Sequence, residues 1–168
     1  MGKTILHIVV IVLVFVVAEE ATSRVSTLIP HTPSAKMEHL LEGTSEDGVA
    51  NVAEQLSAPE AQRIMTAHSN WILLVILPIA SLIAAIASRA LQVRAPVAFI
   101  ATAALVLVRI VLMSISTRAF MDVSAIFGVP PTSAGSPAYV ALISLILCLS
   151  AVVLVVRYRF PDRNRNAR

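Results

Sequence analysis

Apolar residues fall into four runs separated by polar stretches: Ile5–Ala18, Trp71–Ala87, Val97–Ser116 and Ala138–Val156. A bilayer core of ~30 Å needs about 20 helical residues at ~1.5 Å each. The third and fourth runs meet that length outright, and the second does so once flanking residues are added. The first run, at 14 residues, has two readings. It is either a membrane helix extended through Glu19, Glu20 and Ala21, or the apolar core of a cleaved signal peptide behind Met1-Gly2-Lys3-Thr4. The pattern therefore predicts an all-α integral membrane helical bundle of four transmembrane helices, or three if the first is a cleaved signal peptide.

The chain divides accordingly. Residues 1–21 form the first helix or signal peptide, 22–69 an acidic outer segment, and 70–168 a membrane bundle with helices over about 70–88, 96–116 and 138–156 and a basic tail. Within 22–69, the first half holds Pro30, Pro33, Gly43 and Gly48 and reads as irregular. The second half reads as an amphipathic helix over 57–69. Ser57-Ala58-Pro59-Glu60 resembles a capping box, and Ala61, Ile64, Met65, His68 and Ile72 then recur at helical spacing. No breaker separates this helix from the second run. Trp71 suits a membrane interface, and Pro78 predicts a kink. In the loop 117–137, Phe120, Val123 and Phe127 share a face ahead of Gly128 and Pro130-Pro131, which predicts a short interfacial helix.

Composition agrees with a lipid solvent. The chain of 168 residues is 57% hydrophobic and 14% charged, with mean hydropathy +0.83, against about 45–50% and about 25% in soluble domains. A soluble enzyme, a disordered tail and a disulfide scaffold are excluded. The single cysteine, Cys148, cannot make an internal disulfide, so no thiol relay exists within the chain.

Charge sorts by membrane side. Lys3, Arg89, Arg94, Arg157, Arg159, Arg163, Arg165 and Arg168 share the side of the short loop 88–96 with one acid, Asp162. The stretch 19–69 carries eight acids against Arg24, Lys36 and Arg63. The positive-inside rule then predicts cytoplasmic amino and carboxyl termini, in a bacterial inner or plasma membrane. With aromatic content of 5% and basic residues grouped by topology, no nucleic-acid partner is expected.

Arg109 is the one charge inside a membrane run. Burying it against lipid costs about 2.5–3.5 kcal/mol on insertion scales, so it should find a partner. It lies ~18 Å past Val97, and Glu19 and Glu20 lie ~21 Å past Ile5. Arg109, Glu19 and Glu20 are the candidate intramembrane ion pair or partner contact. Snorkelling to the headgroups and a role as a ligand site are the other readings of Arg109.

Small residues at helical spacing, Ser81 and Ala85 in the second run and Ser144, Cys148 and Ala151 in the fourth, predict close helix packing. His31, His39 and His68 match no metal-ligand spacing, and His7 has no facing histidine for haem. No phosphate-binding glycine loop, serine-nucleophile or zinc motif is present. We therefore expect no catalytic, metal or cofactor site. The expected function is a non-enzymatic accessory, assembly or interaction subunit of a larger membrane complex, whose partners are the lipid bilayer and other integral membrane subunits. A small transporter or channel component using Arg109 in its pathway is the alternative.

Overall fold

The computed structural model describes residues 2–45, 59–126 and 138–157, and among the described residues every element is helical. Helix α1 spans Gly2–Leu28 and α2 Pro33–Ser45. Helix α3, Pro59–Trp71, passes without a break through a π-helical turn, Ile72–Ile76, into α4, Leu77–Ala90. Helix α5 spans Ala95–Ile126 and α6 Ala138–Arg157. Four stretches are long and apolar enough to cross a membrane: Lys3–Leu28, Glu60–Ala90, Ala95–Ile115 and Ala138–Val155. The chain is an all-helical bundle with the spans of a multi-pass membrane protein.

Two expectations change. The first half of 22–69, expected to be irregular, is helical where it is described. Helix α1 runs on past its apolar run to Leu28; there Thr22 Oγ1 bonds back to the Ala18 carbonyl at 2.7 Å and Ser26 Oγ to that of Ser23 at 3.0 Å, so these hydroxyls are satisfied within their own helix. Pro33 then occupies the first turn of α2, where its missing N–H leaves no bond unmade, and Thr32 caps that turn by accepting from the Ala35 N–H at 3.2 Å. The second change concerns α5. It continues unbroken to Ile126, so Phe120 and Val123 prolong the third membrane helix instead of forming a separate interfacial one. Ser57, Phe127, Gly128, Pro130-Pro131 and the tail beyond Arg157 lie outside the described residues.

Helix α4 is the central element. It packs most extensively on α1 and α6, and α5 joins those two flanking helices. Leu77, Ala80 and Ala84 share a core with Ile11, Phe15 and Ala18 of α1, Val106 of α5, and Val140 and Cys148 of α6. The small residues allow this. Ala80, Ser81, Ala84, Ala85 and Ser88 are all buried, so neighbouring backbones approach closely where Leu or Ile would hold them apart. Large apolar side chains such as Ile5, Val17, Ile100, Leu142 and Leu154 point outward, as suits a lipid-facing surface.

The α4–α5 connection closes one end of the bundle. Gln92 adopts φ 54°; its N–H bonds the Arg89 carbonyl, and the Val93 N–H bonds that of Ser88. This is a Schellman termination, with glutamine in the left-handed position where glycine is usual. Val93 packs against the core as the loop leaves the helix.

Candidate functional site

The described side chains place Arg109 against α1. Arg109 Nε donates to Glu19 Oε1 at 2.5 Å. Glu20, one residue further, is turned by the helical repeat of ~100° per residue and accepts from Arg24 Nε at 2.7 Å. Of the two carboxylates expected near Arg109, Glu19 makes the contact and Glu20 forms an exposed pair within its own helix. The Glu19 side chain is 13% exposed and that of Arg109 42%, so the pair stands at a wall of the bundle, not on its axis.

That wall is a cleft of about 320 Å³. Phe15 and Val16 of α1, Ile72 and Ile76 of the π-turn, and Leu105 and Val108 of α5 surround the charged groups, and Glu20 and Ser23 complete the lining on the α1 side. Arg109 makes one contact, through Nε; its two terminal nitrogens have no partner among the described residues. Donors of that kind are costly in a low-dielectric setting unless an acceptor reaches them.

The π-turn beside the cleft has a local cause. Pro78 carries no N–H, and the Leu77 N–H bonds the Ile72 carbonyl, five residues back. In α-helical register Leu77 would serve Leu73; in the widened register the donor to Leu73 would be Pro78, which has none. The Leu73 carbonyl is thereby released, and Ser144 Oγ of α6 donates to it at 2.5 Å in a fully buried position. The kink expected at Pro78 takes the form of this widened turn.

Of the packing residues singled out in the sequence, Ser81, Ser144 and Cys148 meet at the α4–α6 contact, while Ala85 lines a cleft with Ala95 and Ala98 of α5. Ser81, Ala85, Ser144 and Cys148 are all buried, the Cys148 thiol lies near the hydroxyls of Ser81 and Ser144, and Ala151 is half-buried. At the far end of the same contact, Arg89 Nη1 donates to the Val155 carbonyl of α6 at 2.5 Å. Sequence reasoning used Arg89 only as a topological charge and missed this contact. No spacing rule links residues 66 positions apart.

The histidines are dispersed. His39 is exposed and 3.5 Å from Glu42, His68 lies on α3, and His31 sits in the turn after α1. Among the described residues no group of three histidine, cysteine, aspartate or glutamate side chains could share a metal ion. No family model, curated protein or solved structure matches the chain.

Proposed function

We propose that this chain is a non-enzymatic accessory or interaction subunit of a larger membrane protein complex, in a bacterial inner or plasma membrane. In this reading its amino terminus, its 88–96 loop and its tail are cytoplasmic. The orientation rests on the grouping of basic residues around Lys3, Arg89, Arg94 and the tail.

The observation that carries the reading is the half-satisfied guanidinium of Arg109. Its pair with Glu19 stands in a lateral cleft whose wall is mostly apolar, with Glu20 and Ser23 at its α1 side, a surface suited to a second transmembrane helix. A polar acceptor on that helix would complete Arg109, and its apolar residues would meet the exposed side chains of Val16, Val108 and Leu112. The transporter alternative would need an aqueous route along the bundle axis. In contrast, Val106 and Thr102, on the turns of α5 preceding Arg109, are fully buried.

The test places a photo-crosslinking residue at Val108 or Leu112 in membranes of the native host. The reading expects one dominant adduct with another membrane protein, reduced when Arg109 is changed to Leu. Adducts with lipid alone, together with migration as a lone chain in native electrophoresis, would overturn it.

A further inference from the structure

We propose that the end of the bundle bearing α2 contains a binding site for an aminoalkyl phosphate, the headgroup chemistry of an ethanolamine phospholipid. The site is a cleft of about 820 Å³ between the α1–α2 turn and the first turns of α3, and it is separate from the Arg109 cleft. Its charged lining is His31, Lys36, Glu60 and Arg63, with Ile64 and Ala67 below.

The cleft wall is held in place. Thr32 Oγ1 donates to the Ser26 carbonyl at 2.5 Å while accepting from the Ala35 N–H, which ties the end of α1 to the start of α2. Ser34 and Ala35 of α2 and Ala61 of α3 are buried, in helices that pack on each other. His31 is fixed in the left-handed region at φ 69° by the same turn. The backbone positions that carry the polar groups are therefore set before any ligand arrives, and binding has to order only the side chains themselves.

The charges facing the cleft do not neutralise one another. Glu60 lies three residues before Arg63 on α3, a spacing that permits an ion pair, yet Lys36, Glu60 and Arg63 form none among the described residues. Two cations on the lining of one cleft match a phosphate, with His31 as a further donor. The carboxylate would repel a simple anion, but it matches a primary ammonium on the same ligand. A zwitterionic amine phosphate satisfies all of these groups at once.

Position favours the lipid over the free headgroup. Ile64 and Ala67 precede Trp71 by seven and four residues, ~10 and ~6 Å of helix, so the cleft floor is at headgroup level if Trp71 marks the interface. Leu28 and Ile29, just before His31, are 80% and 51% exposed and offer an apolar track for acyl chains.

Native mass spectrometry of the detergent-purified full chain tests this, with phosphatidylethanolamine, phosphatidylglycerol and phosphatidylcholine as probes. Phosphatidylethanolamine should be retained best. Replacing Lys36 and Arg63 together with alanine should weaken its retention about tenfold, the scale of a lost charge-assisted hydrogen bond. Glu60→Gln should abolish the preference for ethanolamine over choline and leave phosphatidylglycerol retention intact or improved. These side chains are exposed, and an unchanged circular dichroism spectrum and gel-filtration profile certify each variant. Competition by soluble glycerophosphoethanolamine would assign the site to the headgroup alone; its failure to compete would assign it to the lipid. Equal retention by wild type and the double variant, or an ethanolamine preference that survives Glu60→Gln, would overturn the proposal.

Discussion

Ser144 on α6 donates its hydroxyl to the main-chain carbonyl of Leu73, 71 positions away in sequence and in the widened turn above α4. The bond links a local backbone irregularity to α6, one of the two helices on which α4 packs most extensively. Pro78 removes the donor, the turn widens, a carbonyl is released, and a neighbouring helix supplies the hydroxyl.

The first prediction is a coupling between these two positions. Ser144→Ala should destabilise the bundle by about 1 kcal/mol, within the range for interhelical hydrogen bonds in membranes. Pro78→Ala restores an N–H, so the same serine change should cost less in that background. A double-mutant cycle in detergent unfolding measures the difference. Strict additivity would show that Pro78 is not the cause of the released carbonyl.

Gln92→Gly should stabilise the protein by up to about 1 kcal/mol. Glutamine holds the left-handed position of a Schellman turn with φ 54°, which costs about 1–2 kcal/mol for a residue with a Cβ, partly offset by the backbone entropy lost with glycine. The same unfolding assay reads the change, and Gln92→Val should move it the other way.

Removing the charge at Arg109 should expose the dependence of Glu19 on it. Arg109→Leu leaves a mostly buried carboxylate without its cation and should lower stability by about 2 kcal/mol, with the exposure of Arg109 moderating the effect. Adding Glu19→Gln should recover part of that loss. Exchanging the charges as Arg109→Glu with Glu19→Arg should do better than either single reversal. Glu20→Gln, which breaks an exposed pair within α1, should shift stability by less than about 0.5 kcal/mol.

Cys148 should resist maleimide in the folded protein and react on unfolding, because the thiol is fully buried in the α4–α6 contact. Its labelling rate then reports opening of that contact. Ser144→Ala should accelerate it more than Glu20→Gln does.

Much of the architecture was legible along the chain, because a membrane span needs only length and apolar character, both properties of consecutive residues. The continuous path from Glu60 into the second span could be read from the lack of a breaker. The extension of α1 to Leu28 and the helix at 33–45 could not. There, Thr32 serves backbone groups of both helices, the Ser26 carbonyl at the end of α1 and the Ala35 N–H at the start of α2, in a stretch that proline and glycine content alone marks as irregular. Likewise Phe120 and Val123 have the spacing of an interfacial helix and of a continued α5 equally, and nothing local separates the two.

The candidate sites divide along the same line. Arg109 stands out in the sequence because a charge within an apolar run is costly wherever the helix sits, and its depth follows from counting residues. Its choice between Glu19 and Glu20 depends on how α1 is rotated against α5, a quantity set by packing. The bonds from Ser144 to Leu73 and from Arg89 to Val155, and the grouping of His31, Lys36, Glu60 and Arg63 around one cleft, join residues with no periodic relation. The sequence by itself determined which segments prefer lipid and where an unpaired charge would be intolerable, since transfer energies add residue by residue. Only the tertiary structure decided which polar groups meet, because hydrogen bonds and ion pairs depend on distance and direction between helices.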